Sequence, residues 1–234
     1  MNTITLNGVS SMTIKGLLIS SLPPISKPLM RTQVEEIDGR DGDIVTPLGY
    51  AAYDKEVSIG LYGDFDINRV ISFFASSGKV IFSNEPDKYY DYTITQQIDF
   101  ERLLRFRTAT VTFHVQPFKY SAIQESLIYN QLTNITEVTV VNTGNTTAKP
   151  TLTIYGSGDI GLYLDGVQIF DIALASEEYI TINTAALEAF KGNTLKNRLV
   201  TGDYENFALK TGINVISWTG TITEIDISNY SRWI

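Results

Sequence analysis

The chain has 234 residues, 43% hydrophobic and 19% charged, and this composition is typical of a globular protein and excludes wholesale disorder. A formal net charge of −8 argues against a protein that wraps nucleic acid through a basic face. The absence of cysteine excludes thiolate nucleophiles, disulfides and cysteine-ligated zinc. Residues 121–234 contain 6 basic and 12 acidic residues. The second half therefore carries most of the negative charge, which indicates a solvated outer module.

Strand patterns dominate the first half of the chain. Segments rich in β-branched and aromatic residues predict strands at 2–7, 12–20, 31–37, 57–61, 79–83, 90–98 and 103–115. In the last of these, alternation places Arg105 and Arg107 on one face and Leu104 and Phe106 on the other, as in a sheet with one buried side. The alternation slips near Thr108, where we expect a bulge.

One helix is well signalled, at about 66–77. Asp64 or Asp66 can cap its start and Gly78 can end it in a left-handed conformation. Its apolar stripe, expected to pack on the sheet, consists of Val70, Ile71, Phe73 and Phe74. A second stretch, 184–191, is short enough to be either a helix or a single turn.

A domain boundary is predicted between residues 125 and 126. Pro117 can close the long strand, and residues 121–134 form a polar connector. A new series of short strands follows, at 136–141, 150–155, 160–164, 167–172, 178–182, 199–201, 206–209, 213–218 and 221–227. Asp165-Gly166 predicts a two-residue hairpin turn. The fold class is therefore mainly β: an N-terminal barrel or sandwich domain with one α-helix (1–125), followed by a β-sandwich or jelly roll (126–234).

Catalytic and metal-binding patterns are weak. His114 is the only histidine, so a triad or a histidine-rich metal site must use it, and its position within a strand favours a structural role. The run Asp38–Asp43 has three carboxylates in six residues, but a calcium loop starting at Asp41 lacks ligands at Val45 and Ala52. A charged hairpin tip is the better interpretation. No catalytic, cofactor-binding or metal-binding residue is predicted.

Two other functions remain open. A carbohydrate-binding β-sandwich could use aromatic rings that stack on sugars, although such rings more often belong to a core. The candidate rings are Trp218, Trp233, Tyr155, Tyr163 and Tyr179. A glycan hydrolase would need two facing carboxylates, which the sequence cannot pair. Separately, Arg102, Arg105 and Arg107 form a basic strip, which in an acidic protein suits carboxylates of a neighbouring chain better than phosphates.

Several segments resemble the distal tail proteins (Dit) of long, non-contractile-tailed bacteriophages. The most specific is RTQVEEIDGRDGD, residues 31–43, which continues to YDKEVSIG at 53–60. The likeness extends through VISFFA at 70–75, GKVI at 78–81 and DKYY at 87–90. It is also found in NTGNTTAKPTLTIYGSG at 142–158, LKTGINVI at 209–216 and SRW at 231–233. The resemblance covers nearly the whole chain.

The resemblance implies a structural subunit of the virion tail tip that is assembled in the bacterial cytoplasm. Six first domains would form a ring joining the tail tube to the baseplate or host-adhesion device, and the second domain would be galectin-like. Expected partners are other copies of the chain, the tail tube protein, proteins on the tape-measure side, and baseplate or receptor-binding proteins; DNA would pass through the ring without specific binding. No membrane insertion is expected, since no run reaches the length of about 18 apolar residues that a span needs.

The resemblance also implies a hairpin that embraces the neighbouring subunit, which we place on residues 31–61. Its charged tip, the predicted subunit interface, consists of Asp38, Arg40, Asp41 and Asp43. The candidate partner surface is the strip Arg102, Arg105 and Arg107.

Overall fold

The computed structural model describes residues 1–123, 126–132, 134–174 and 178–234, and it divides into two compact units. The first unit comprises Met1–Ala122 together with Ile234, and the second comprises Ile123–Trp233. Each unit has its own antiparallel sheet and its own hydrophobic core. The mainly β fold class is confirmed. Residues 124 and 125, at the predicted domain boundary, lie outside the described part of the chain.

The first unit is built on a seven-stranded antiparallel sheet with the order β2-β1-β7-β8-β9-β6-β3. Its strands are β1 (Ile4–Leu6), β2 (Val9–Ser10), β3 (Leu17–Ser21), β6 (Tyr53–Leu61), β7 (Ser77–Phe82), β8 (Lys88–Thr93) and β9 (Thr108–Ser121). Strands β4 (Met30–Glu36) and β5 (Asp43–Tyr50) form a separate two-stranded sheet. Two short helices, α1 (Ile67–Phe73) and α2 (Phe100–Phe106), and a 3-10 turn at Ser11–Thr13 complete the unit.

The core of the first unit follows the two-residue period of its central strand. In β9 every second residue is buried: Ala109, Val111, Phe113, Val115, Pro117 and Lys119. Phe113 packs edge-on against Phe82 and Tyr92, with ring centroids 5.9 Å and 5.1 Å apart. Helix α1 buries Val70 and Phe73. Offset aromatic pairs of this kind add about 1 kcal/mol each beyond their buried area.

Helix α1 is shorter than predicted. Asp66 rather than Asp64 caps it, since its carboxylate accepts hydrogen bonds from the backbone N–H groups of Asn68 and Arg69. The helix ends at Phe73, so Gly78 is not its terminator. Gly78 lies in β7 with φ of +143°, and a Cβ there would come within 1.9 Å of the Asn7 side chain. The glycine is needed for that close approach.

Helix α2 replaces the predicted start of the long strand. The Asp99 carboxylate accepts a hydrogen bond from the Arg102 backbone N–H at 2.8 Å, which caps the helix. Glu101 and Arg105 form an i, i+4 ion pair at 2.8 Å. Arg107, with φ of +59°, ends the helix in the left-handed region. The alternation at Leu104–Arg107 therefore belongs to a helix, and β9 begins only at Thr108.

Pro117 lies inside β9 rather than closing it. The pairing of β9 with β6 stops at Val115, and its pairing with β8 is irregular between Tyr90 and Tyr92, opposite the proline. Proline lacks the N–H that a regular ladder needs, so it is tolerated at such an irregularity. The bulge of this strand is located here and not at Thr108.

The second unit is a nine-stranded antiparallel sheet. Its strands are β10 (Ser126–Asn130), β11 (Glu137–Asn142), β12 (Thr151–Leu164), β13 (Val167–Ala173), β14 (Tyr179–Asn183), β15 (Glu188–Lys191), β16 (Thr194–Leu195), β17 (Val200–Gly202) and β18 (Gly212–Ser228). A 3-10 turn occupies Asn197–Leu199. The residues of the Asp165-Gly166 turn have φ of +49° and +81°, as a tight hairpin turn requires.

Two long strands, β12 and β18, connect the two layers of this sheet. The first half of β12 pairs with β14 and its second half with β13, while β18 pairs first with β11 and later with β10. The β12–β18 register shifts at Tyr155/Gly156 and between Ser157 and Gly161. Bulges of this kind let a strand pass from one layer to the other. Side chains from both halves share one core, so the sheet folds over as a sandwich.

The continuous strands β12 and β18 correct several strand boundaries that were predicted from the sequence. Segments 150–155 and 160–164 belong to the single strand β12, and 213–218 and 221–227 belong to β18. Segment 206–209 is not a strand; only Leu209 makes an isolated bridge, to Ala148. Residues 184–187 form a turn that precedes strand β15, so the stretch 184–191 is not a helix.

Candidate functional site

A hairpin of β4 and β5, here called the arm, is the most exposed feature of the first unit. Its strands pair only with each other, and every residue of β4 is exposed. The arm is inserted between β3 and β6, which are neighbours in the seven-stranded sheet. An isolated two-stranded hairpin is marginally stable in water. A protein surface that packs against the arm would therefore stabilise its folded conformation.

The arm spans Met30–Tyr50, which corrects the predicted extent of 31–61, because β6 belongs to the main sheet. One of its faces has an apolar centre, with the acidic pair Glu36 and Asp43 at its tip end. Val34 pairs directly with Val45, and these side chains are 53% and 56% exposed. The opposite face is more polar and includes Gln33 paired with Thr46. A hairpin with an uncovered apolar face has the character of an interface element.

The tip of the arm holds the predicted interface residues. The structure places all four of them, exposed, at or beside the turn of residues 37–42: Asp38, Arg40, Asp41 and Asp43. Gly39 and Gly42 have φ of +80° and +76°, and the Arg40 N–H donates to the Ile37 carbonyl at 3.1 Å. Glu36 lies directly opposite Asp43. Like charges at paired positions destabilise a hairpin, so a basic partner would reduce the electrostatic repulsion at this tip.

The three predicted partner arginines do not form a strip. Arg102 and Arg105 lie three residues apart on α2, whereas the Arg107 guanidinium lies 4.7 Å from the centre of the Phe65 ring. A shallow hollow of about 540 Å³ is lined by Asp99, Glu101, Arg102, Arg105 and Phe106. In the described part of the chain, no hydrogen bond or ion pair joins these arginines to the tip.

The structure adds an apolar component to this surface that the sequence reasoning missed. Phe106 is 70% exposed and Leu104 is 43% exposed, although the strand interpretation placed both on a buried face. The signal that could have revealed the helix is local: Asp99 as an N-cap followed by the Glu101/Arg105 spacing. Helix α2 therefore combines exposed apolar side chains with basic ones.

The segment leading into the arm is fastened to the main sheet by a buried lysine. Lys55 is 3% exposed, and its Nζ donates a hydrogen bond to the Pro24 carbonyl at 2.9 Å. The Nζ lies 5.0 Å from the ring centre of Tyr90 and 5.4 Å from that of Tyr53. Burial lowers the pKa of Lys55 to about 8, and the charge of Glu85 opposes that shift. Cation–π contact compensates only part of the lost hydration.

Glu85 organises the rest of this buried network. It accepts hydrogen bonds at 2.8 Å from the Lys119 ammonium and at 2.8 Å from the Tyr90 hydroxyl. Burial, together with the hydrogen bond to Glu85, raises the pKa of Tyr90. Next to it, the Asn84 amide donates to the Pro23 carbonyl at 2.9 Å. Two consecutive carbonyls at the root of the arm are thus held by side chains of the main sheet.

His114 and the acidic residues form no metal centre in the described residues. His114 Nδ1 lies 2.7 Å from the Asp54 carboxylate across the β6–β9 pair, and both side chains are partly exposed. No group of three histidine or acidic side chains in the described ranges could hold a metal ion. Within the same ranges, no helix has the length and apolar character needed to cross a membrane.

The aromatic residues of the second unit are mostly structural. Trp218 is 4% exposed and belongs to the core. Tyr155 and Tyr179 pack on each other with ring centroids 5.2 Å apart. The Tyr163 hydroxyl donates to Gln168 Oε1 at 3.4 Å, and Trp233 is partly exposed. The structure does not bring these rings together as one sugar-stacking platform.

The whole chain has the fold of a known phage hub protein. It superposes on SPP1 Dit, described as a paradigm of the hub adsorption apparatus in phages that infect Gram-positive bacteria, with a TM-score of 0.69. The match covers 100% of both chains at 17% sequence identity. Two structures of the phage P2 baseplate in its activated conformation, with Ca and with Sr, each match at 13% identity and a TM-score of 0.49. These cover 98% and 97% of both chains, respectively. No protein-family model and no curated protein matches the chain.

Proposed function

We propose that this protein is a distal tail protein of a long, non-contractile-tailed phage or prophage. It forms a six-membered ring hub that joins the tail tube to the baseplate or host-adhesion device. The observation that carries the proposal is the full-length fold match to SPP1 Dit, in which both domains correspond over 100% of each chain. The role is structural rather than enzymatic.

The arm supplies the physical reason for assembly. Its apolar face has no cover within the described hairpin, and its tip concentrates acidic side chains. In a ring, the arm of one copy lies on the body of the next, so a single heterologous contact repeats around the axis and closes. The apolar pair Val34 and Val45 is then buried from water at every interface between neighbouring subunits.

Helix α2 is the surface we assign to the arriving arm. Phe106 and Leu104 offer an apolar contact, and Arg102 offers a charge that complements the acidic tip. Arg105, in contrast, is paired with Glu101. Exposed ion pairs contribute only about 0–1 kcal/mol each. The apolar contact therefore supplies most of the affinity, and the charges fix its register.

The remaining partners follow from the position of the hub in a tail. The ring contacts the tail tube protein and tape-measure-side proteins on one face and baseplate or receptor-binding proteins on the other. DNA passes through the ring without specific binding, and the protein is located at the virion tail tip after assembly in the bacterial cytoplasm. The second domain, from about residue 126, is a galectin-like sandwich.

Light scattering coupled to size-exclusion chromatography tests the ring. The expected mass is about six times the 26.1 kDa of one chain. Shortening Asp38–Asp43 to a two-residue turn, or the substitution Val34→Arg, is expected to give a folded monomer with unchanged β-type circular dichroism. Val167→Arg is the matched control, since Val167 is a similarly exposed valine (62%) in the second unit. The control is expected to assemble normally.

Charge exchange tests the proposed partner of the tip. Arg102→Glu should weaken the ring, and adding Asp41→Arg should restore it. If the arm variants assemble like the control, the arm is not the clasp. A protein that stays monomeric and also fails to enter tails made in its presence contradicts the hub role itself.

A further inference from the structure

The second unit has a hollow of mixed polar and apolar lining on the face opposite its core. Its volume is about 380 Å³. The strand register places one residue from each of four strands in a row across its floor: Thr219, Gly161, Asp171 and Thr201. The next row contains Tyr163 and Gln168. These side chains lie on the face opposite the core residues Leu162 and Phe170. The hollow is thus supported by a packed sheet.

Gly161 lies in this row, where the neighbouring side chains leave no room for a Cβ. A Cβ at this position would lie 2.8 Å from Thr219 Oγ1, 3.4 Å from the Tyr163 ring and 3.5 Å from Gln168 Nε2. Those side chains close over Gly161, and its N–H donates to Thr219 Oγ1 at 3.3 Å. A larger residue at this position would displace Thr219 and change the floor of the hollow.

The walls present hydrogen-bonding groups of both kinds. Gln168 Nε2 donates to Asp171 Oδ1 at 2.6 Å, and Gln168 Oε1 accepts from the Tyr163 hydroxyl at 3.4 Å, which orients both side chains. Asp159 and Arg198 also line the hollow. Among the described residues, no hydrogen bond or ion pair engages the carboxylate of Asp159 or the guanidinium of Arg198. An acceptor and a donor without a partner among the described residues therefore line one small space.

This chemistry matches a sugar better than an anion. A pyranose presents adjacent hydroxyl groups, each a donor and an acceptor, and planar carboxylate and guanidinium groups can bind two neighbours at once. Leu199 and Ala173 supply apolar wall for the ring C–H groups. Two carboxylates against one arginine disfavour a phosphate or a carboxylate ligand. The volume lies within the usual range of small-molecule sites.

We propose that this hollow is a saccharide-binding site that takes one neutral pyranose unit of a glycan. Asp171, Asp159 and Arg198 bind its hydroxyl groups, and the row of Thr219, Gly161 and Thr201 forms the floor beneath it. The site is distinct from the arm and does not rest on the hub role.

Saturation-transfer NMR on the full chain tests the site, with the methyl glycosides of glucose, galactose, rhamnose, N-acetylglucosamine and N-acetylgalactosamine as probes. At least one is expected to bind with a Kd in the millimolar range or tighter. Asp171→Ala, Arg198→Ala and Gly161→Ala should each weaken that binding by about tenfold or more, a loss of about 1.4 kcal/mol per tenfold. Glu188→Ala, an exposed acidic residue on β15 that does not line the hollow, is the control and should bind normally.

Two results would overturn the saccharide site. One is that none of the five glycosides binds at tens of millimolar, and the other is that binding survives in all three hollow variants. The mass of each variant by light scattering separates this outcome from the hub proposal. The hollow variants should assemble like the unmodified protein whichever way the sugar experiment ends.

Discussion

Lys55 makes the stability of the first unit depend on pH in an unusual direction. Its pKa falls from an ordinary value of 10.5 to about 8 because burial disfavours the ammonium form. Between these two values the unfolded chain binds more protons than the folded one. Stability therefore rises as pH rises through this window. Below pH 8 the folded unit bears the full cost of a buried cation.

The expected size follows from the two pKa values. Between pH 8 and pH 9.5, the linkage relation gives a gain of about 1.5 kcal/mol in the free energy of unfolding from Lys55 alone. Lys55→Met keeps the aliphatic stem among Tyr53, Tyr90 and Phe82 and removes the ionisable group. The variant should lose that gain of about 1.5 kcal/mol. Tyrosines also titrate near the upper end of this window in the unfolded chain. They do so equally in every variant, so the difference between variants isolates Lys55.

Urea denaturation at the two pH values measures the effect. Both tryptophans, Trp218 and Trp233, lie in the second unit, so fluorescence follows that unit. The transition seen by circular dichroism but not by fluorescence belongs to the first unit. Lys15→Met is the control, since the Lys15 side chain is 72% exposed and forms only an exposed ion pair with Asp64. The control should keep the full pH response.

One outcome refutes the reasoning. If Lys55→Met and the control gain the same stability between pH 8 and pH 9.5, the Lys55 amine is hydrated in the folded protein. The cation–π and carbonyl contacts would then not describe a desolvated charge.

Two further predictions concern the backbone. Gly202→Ala should destabilise the second unit by more than about 3 kcal/mol, because φ is +146° and a Cβ would lie 1.9 Å from the Ile169 carbonyl oxygen. Gly212→Ala, with φ of +94° and no atom within 4 Å of its Cβ, should cost only about 1 kcal/mol by tryptophan-monitored urea denaturation, and equal losses would contradict the steric argument. Limited proteolysis should cut first between Ser121, where β9 ends, and Ser126, where β10 begins, and leave two resistant fragments. Early cuts inside the sheet of either unit would contradict that division.

The periodic parts of the fold could be predicted from sequence. Alternation located β4, β7 and most of the strands of the second unit, and the Asp165-Gly166 turn was identified from its two residues. These features depend on local chemistry that each segment carries by itself. The charged turn at Asp38–Asp43 also lies at a hairpin tip, because its glycines allow left-handed backbone on both sides of Arg40.

The sequence-based predictions failed where contact with another segment of the chain determines the local structure. Pro117 is compatible with β9 only because β8 is irregular opposite it, and that irregularity is a property of the pair. The length of β18 could not be read from its sequence, since Gly220 looks like a turn but serves as the bend between two layers. Lys55 gave no signal, because its partners come from two distant parts of the chain, Pro24 on one side and Glu85 and Tyr90 on the other. The exposure of Phe106 was missed because the alternating pattern was interpreted as a strand, whereas the Asp99 cap makes this segment a helix.

The pairing of β10 with β18 determines how the second unit responds to mechanical load. These strands are antiparallel and adjacent, with Ser126 opposite Ser228 at one end of the ladder and Asn130 opposite Glu224 at the other. A pull between residues 126 and 228 therefore acts across the ladder and opens it one hydrogen-bonded pair at a time. Such peeling needs less force than sliding two strands past each other along their length. Tension applied at these two points would detach β10 first, while the ladder between β12 and β18 behind it still carried no load.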